Sequence, residues 1–195
     1  MKSDVPFSVE IIDDYLGGQC IAKILESAKA QQDLFFYNDE NAKKATTKPG
    51  GVSGAVLAAL HAMAADGGAR GLGEPDLTFY GAGMSVMLPG DYLNPHVDHA
   101  LHPVTHKARL WNFILYLTDC EGGRLRLIGD DTELKIKPKK DRAAIFQSCG
   151  DAWHAVEKVT GGERIALSVY FYGEAMESPE KAYGVSRTNT KAVFK

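Results

Sequence analysis

The sequence predicts a mainly β fold, a sandwich or jelly roll backed by N-terminal helices. Three observations carry that expectation. Helix-period apolar residues are confined to roughly the first third of the 195-residue chain. After Pro75 the texture changes to short β-rich runs at 76–80, 84–88, 109–117, 124–128, 133–136, 143–146 and 164–172. Turn formers break those runs: Gly81, Pro89-Gly90, Gly122-Gly123, Gly129-Asp130, Pro138, Gly150 and Gly161-Gly162. So many short strands in about a hundred residues suit two packed layers rather than a βαβ sheet.

In order, residues 18–32 predict a first helix, because Ile21, Ile24, Leu25 and Ala28 recur on one face. Residues 38–51 are polar, contain Pro49-Gly50-Gly51, and predict a loop. Ser53 is placed to cap a second helix at 55–65, which the Gly67-Gly68 pair would end. The stretch 67–73 lacks the Gly-Lys-Ser/Thr ending of a phosphate loop and, with 38–51, reads as a lid or substrate loop. The division expected is one domain, 1–195: a helical support region 1–75, a jelly-roll core 76–173 and a polar tail 174–195.

Apolar residues make up 45% and charged residues 24%, close to average for a globular chain, so one sizeable core is expected. A net charge of −3 gives no electrostatic case for nucleic acid or an anionic membrane. No apolar run is long enough for a signal peptide or a spanning helix. Cys20, Cys120 and Cys149 are odd in number and form no C-x-x-C pair, which argues against a disulfide framework or a thiolate metal site and fits the cytoplasm.

Chemistry concentrates in the histidines. His96 and Asp98 stand two apart, so in extended chain both side chains project to one side and can reach one ion. His154 is the only histidine after His106 and supplies a third ligand. Two imidazoles and one carboxylate form a facial triad that leaves three positions open on an octahedral iron. Arg164 opens the strongest strand, where an unpaired guanidinium is costly to bury and no Asp or Glu is an obvious mate. A bound dicarboxylate would fill that role.

The pattern H-x-D, a gap of 55 residues, then H with R ten residues on, resembles the prolyl-hydroxylase-like branch of the 2-oxoglutarate/iron(II) oxygenases. The resemblance covers roughly 76–173. It extends to Tyr92-Leu93, the strand from Phe113 to Leu117, the Gly122-Gly123 turn into Leu125-Arg126-Leu127, and Arg164-x-Ala166. Residues 90–98 look most like the prolyl hydroxylases that act on a ribosomal protein, and the strand from Arg164 looks more like the oxygen-sensing ones. The resemblance implies a double-stranded β-helix (cupin-like jelly roll), iron(II), 2-oxoglutarate and dioxygen, with ascorbate as an accessory reductant. By the same resemblance Arg164 binds the distal carboxylate of 2-oxoglutarate, the Tyr116 hydroxyl donates to it, and Tyr92 lines the pocket mouth. The reaction implied is hydroxylation with release of succinate and CO2; related halogenases have a small residue where Asp98 stands. A peptidyl proline leads as substrate, with a monomer or homodimer as the assembly.

Plainer roles stand beside these. His102 and His106 read as surface or pocket-rim residues and His61 as structural, while His99 is the one of this group nearest a substrate. Arg109 is either substrate-facing or an exposed structural arginine, and one of Trp111 and Asn112 faces the cavity. Arg124 and Arg126 share a strand face, as solvated charges or a basic rim. A free amino acid or small metabolite is the second substrate class, with Arg109 as its counter-charge. A non-catalytic jelly-roll binding module and a zinc hydrolase are the other classes; neither has a use for Arg164 at the sheet end.

Overall fold

The computed structural model describes residues 8–31, 34–47, 51–78, 82–98, 101–148 and 152–174. The expectations placed on His99, Cys149 and the tail after Glu174 lie outside those residues. Two helices, α1 (Gly18–Lys29) and α2 (Gly54–Ala69), accompany fourteen strands among the described residues. The strands are β1 (Val9–Ile12), β2 (Leu34–Asn38), β3 (Ala42–Thr47), β4 (Glu74–Pro75), β5 (Gly83–Met87), β6 (Tyr92–His96) and β7 (Ala108–Tyr116). They continue with β8 (Cys120–Gly122), β9 (Leu125–Ile128), β10 (Glu133–Ile136), β11 (Ala143–Gln147), β12 (Trp153–Val156), β13 (Val159–Gly162) and β14 (Arg164–Gly173).

One antiparallel ladder runs β1-β11-β7-β14-β5-β3 and passes on through β6-β12-β9-β10. β3 is where it turns, pairing with β5 through Ala45↔Val86 and Thr46↔Ser85 and with β6 through Ala42↔Leu93 and Lys43↔Tyr92. The result is the curled, jelly-roll sheet that the short strands predicted.

Alternation along β14 explains the two cores. Ile165, Leu167, Val169 and Phe171 pack with Phe113, Leu115 and the helix residues Ile21, Ile24, Val56, Leu60 and Met63. Ala166 faces the inside of the curl with Tyr116, Ala144 and Phe146. The apolar stripe of α1 is buried as its spacing requires.

Several local expectations are corrected. Residues 38–51 are not simply a loop: Ala42–Thr47 form β3, because the β5 and β6 edges offer backbone partners that a polar composition does not reveal. The first third is therefore not helix alone. α2 runs through Gly67 and Gly68 to Ala69, since a Cβ at Gly67 would lie 2.1 Å from the Phe171 ring. Close packing, not helix termination, puts glycine there. Ser53 precedes α2 with extended backbone but makes no side-chain cap. The 67–73 stretch is no lid, because Gly73 abuts the Tyr172 carbonyl. Of the strand expected at 76–80, residues 76–78 are described and are not strand: Leu77–Thr78 form a turn, while Glu74–Pro75 just before them pair with Tyr172 and Phe171.

Candidate metal centre

β6 and β12 pair directly through His96↔His154, so two strands far apart in sequence present their imidazoles side by side, with ring centroids 4.3 Å apart. Asp98 lies just past the end of β6. Its Oδ1 is 3.8 Å from His96 Nε2 and its Oδ2 is 3.5 Å from His154 Nε2. One ligand atom from each of the three residues lies within 4.8 Å of the others.

The backbone decides which ring nitrogens face the centre. His96 Nδ1 is 2.8 Å from the Asn94 carbonyl, and His154 Nδ1 is 3.1 Å from the Ala152 carbonyl. A carbonyl oxygen can only accept, so each Nδ1 carries its proton and each Nε2 turns a lone pair toward Asp98. Burial, reinforced by His154, pushes the His96 pKa down to about 3, so it stays neutral as a ligand must. Three lone-pair donors converging on one point repel unless a cation joins them, and this donor set fits a divalent transition metal.

Asp98 is held by three donors. Asn112 Nδ2 donates to Oδ2 at 2.5 Å, Ser148 Oγ donates to Oδ2 at 3.2 Å, and Arg109 Nη1 lies 3.2 Å from Oδ1. Burial alone would raise the Asp98 pKa, but Arg109, then the two histidines and Asn112, hold it well below the ordinary carboxylate range. Arg109 is itself fixed, stacked 3.7 Å from the Tyr170 ring centre and donating from Nε to the Tyr172 hydroxyl at 3.3 Å. A bulge aims it: Phe171 pairs with Trp111 but Tyr172 pairs with Arg109, so Leu110 is the extra residue. That bulge brings Arg109 onto the face that Asn112 already occupies.

At the other end of the cavity Arg164 and Tyr116 are both buried, at 3% and 0% exposure. Arg164 donates from Nε to the Gly123 carbonyl at 3.1 Å and its Nη1 is 3.7 Å from Met87 Sδ, and its guanidinium sits 5.1 Å from the Tyr116 ring centre. A side chain on Gly123 would strike Cys120 Sγ at 3.0 Å and Arg164 Cδ at 3.2 Å, so glycine there makes room for the guanidinium. Among the described residues the Tyr116 hydroxyl is buried without a hydrogen-bond partner. A buried hydroxyl without a partner is costly, and a carboxylate accepting from both Tyr116 and Arg164 would remove that cost. The residues therefore fit an oxoacid whose far carboxylate lies at this end.

Other expected site residues fall elsewhere. Trp111 packs against the helix-side core, and Asn112 is the member of that pair that faces the cavity. Its even spacing from Tyr116 on the same strand was the available signal. Arg109 is neither exposed nor free for a substrate, since it is committed to Asp98. Tyr92 donates from its hydroxyl to the Asp39 carbonyl at 3.2 Å, tying the β2–β3 turn to β6. His102 is buried rather than on the surface, its Nε2 3.6 Å from Asp76 Oδ1 and its ring edge-on to Tyr172. His106 is exposed. Arg124 and Arg126 pair with Glu157 and Glu133, so they form no free basic rim. Ser148, Tyr170 and Tyr172 carried no sequence signal, because loop closure and the bulge bring them to Asp98.

Residues 82–172 match the sequence model of the 2OG-Fe(II) oxygenase superfamily. Over that part, a little under half of its length, the chain is similar to the 2-oxoglutarate/iron(II) oxygenases. It is 32% identical over 98 residues to the "2-oxoglutarate and iron-dependent oxygenase domain-containing protein 3" of Xenopus tropicalis, a match spanning 48% of this chain and 28% of that one. The match thus spans little more than a quarter of that relative's length. A Pseudomonas putida prolyl-4-hydroxylase superposes with a TM-score of 0.65 at 21% identity, covering 86% of this chain and 93% of that one. A prolyl hydroxylase from Trichoplax adhaerens, solved with a hypoxia inducible factor oxygen degradation domain peptide, superposes with a TM-score of 0.62 at 18% identity, covering 84% and 83%. The fold is that of these prolyl hydroxylases. The oxygenases of this family use iron(II), 2-oxoglutarate and dioxygen, for which the two ends of the cavity have the matching donors.

Proposed function

We propose that this oxygenase hydroxylates a proline within a protein or peptide, coupled to decarboxylation of 2-oxoglutarate, with iron(II) held by His96, Asp98 and His154. The observation that carries the reading is the pairing, inside one curled sheet, of three converged metal donors with a buried Arg164–Tyr116 pair that has no carboxylate partner among the described residues. Bound together, iron(II) and 2-oxoglutarate supply the oxidising power: one oxygen atom of O2 enters a substrate C–H bond, the other enters succinate, and CO2 leaves.

The chain's own residues bind and orient. The carbonyls of Asn94 and Ala152 lock both imidazoles with Nε2 inward. Asn112, Ser148 and Arg109 fix the Asp98 rotamer, so the carboxylate is in place before the metal arrives. Arg164 offers forked geometry to the distal carboxylate and the Tyr116 hydroxyl donates beside it. Asp98, as a carboxylate at this position, would take the place on the metal that a chloride would need, which favours hydroxylation over halogenation.

Two observations favour a peptide over a free amino acid. The fold is shared with prolyl hydroxylases, one of them solved with a peptide. Arg109, the counter-charge that a free amino acid's carboxylate would need, is already paired with Asp98. We propose the cytoplasm as its location, which the cysteine usage supports, and a monomer or homodimer without nucleic acid or membrane as partner. Among the described residues no helix is long and apolar enough to cross a membrane.

Incubating the protein with iron(II), 2-oxoglutarate, dioxygen and a panel of proline-containing peptides and free amino acids tests the reading. Succinate release with a gain of one oxygen on a peptide is expected. Oxidation of free amino acids with no peptide modified would overturn the substrate class, and no succinate with any substrate would overturn the reaction.

A further inference from the structure

Lys44 is a cation of the cavity that neither sequence reading nor the family resemblance assigns. It stands where β3 exchanges partners, between Ala45↔Val86 on β5 and Lys43↔Tyr92 on β6. One further step of the β3–β5 register sets Lys44 opposite Met87, and Met87 pairs on its other side with Arg164. Lys44, Met87 and Arg164 thus form one cross-strand row on one face, the lysine and arginine two strand spacings apart, about 10 Å. Met87 Sδ touches the Arg164 guanidinium, which makes this the face turned into the cavity.

The charges nearby sort the two lysines of β3. Lys43 points the other way, its Nζ 3.3 Å from Asp91. Lys44 lies along the Tyr37 ring, its Nζ 5.6 Å from the centre, and among the described residues it has no ion-paired carboxylate of its own. Burial lowers its pKa, with Asp98 opposing that shift and Arg164 adding to it. Its charge is therefore felt at both ends of the cavity. The one carboxylate of the metal centre, Asp98, is already taken by Arg109, Asn112 and Ser148.

We propose that Lys44 anchors the metal-chelating carboxylate of the bound oxoacid, at the end opposite the carboxylate held by Arg164. The assignment rests on the oxygenase reading of the cavity. A dianionic oxoacid is then gripped at both ends by cations from one row of the sheet, Arg164 at the far carboxylate and Lys44 beside the metal. The lysine is a positioning residue for the cosubstrate: it adds affinity and fixes which face of the chelate turns to the metal.

Calorimetric titration of the protein loaded with manganese(II), a redox-inert stand-in for iron(II), separates the two anchors. The probes are 2-oxoglutarate and 2-oxobutyrate, which keeps the chelating end but has a methyl group in place of the distal carboxylate. Lys44→Met should weaken both oxoacids roughly ten- to a hundredfold, the range of one lost charge-assisted hydrogen bond. Lys44→Arg should restore most of that affinity, and Arg164→Met should weaken 2-oxoglutarate alone. Manganese affinity, measured first on each variant, should be unchanged by Lys44→Met. Wild-type protein that binds neither oxoacid would overturn the oxygenase reading and the Lys44 assignment with it. Wild-type affinity retained in Lys44→Met, or a loss confined to 2-oxoglutarate, would overturn the Lys44 assignment alone.

Discussion

The two ends of the cavity differ in how complete they are without a ligand. At the metal end Asp98 is surrounded by donors from three directions, and both histidines are fixed by backbone carbonyls. At the other end Arg164 meets a carbonyl, a thioether and the Tyr116 ring, and among the described residues the Tyr116 hydroxyl has no hydrogen-bond partner within bonding geometry. The first end is preorganised: its three ligand side chains are already held in place and their geometry does not wait for the ion, although Asn112 Oδ1 beside them is buried without a partner among the described residues. The second holds unmet hydrogen-bonding capacity that a dicarboxylate would satisfy. An enzyme that keeps its metal and exchanges its cosubstrate at every turnover needs this asymmetry.

Removing a metal donor gives the largest effect. Asp98→Ala or His154→Ala should abolish turnover and weaken manganese(II) binding beyond the roughly ten- to hundredfold cost of losing a group behind a ligand; titration with the metal checks it. Near-wild-type affinity in either variant would break the metal end of the comparison.

Arg109→Met comes next. It leaves Asp98 buried without its main counter-charge, and breaking such a pair costs about 3–5 kcal/mol. A fall of that order in chemical unfolding is expected, with loss of activity alongside. An unchanged unfolding midpoint would mean that Arg109 does not hold Asp98.

Arg164→Lys keeps the charge but loses the fork. The Michaelis constant for 2-oxoglutarate should rise roughly tenfold or more, while manganese(II) affinity stays as in the wild type. Steady-state kinetics with metal titration separates the two, and a loss of metal affinity would show that the ends are not independent.

Tyr116→Phe is the subtlest and sharpens the contrast most. Removing a buried hydroxyl that has no partner should leave the stability of the free protein unchanged or raise it by about 1 kcal/mol. Yet 2-oxoglutarate should bind several-fold more weakly, because the hydroxyl's partner arrives with the cosubstrate. Thermal unfolding with and without 2-oxoglutarate measures both. Destabilisation of the free protein would mean that the hydroxyl already has a partner.

What was legible in the sequence was whatever local periodicity or residue chemistry encodes. Ile21, Ile24 and Ala28 declared the buried face of α1, and the alternating strand from Arg164 declared a central position in the sheet. His96 and Asp98 are two apart, so extended backbone alone puts them together, and an arginine heading a core strand required an anion. Tertiary structure decided the rest. The β2–β3 hairpin was hidden because its strands depend on the edges of β5 and β6, not on their own polar composition. Asn112, not Trp111, faces the metal because the helices cover the opposite face of β7. Arg109 reaches Asp98 only through a one-residue bulge against β14, a register shift that no one-dimensional pattern carries. Lys44 enters the cavity because β3 changes partners beside it, and such a change is a property of three strands at once.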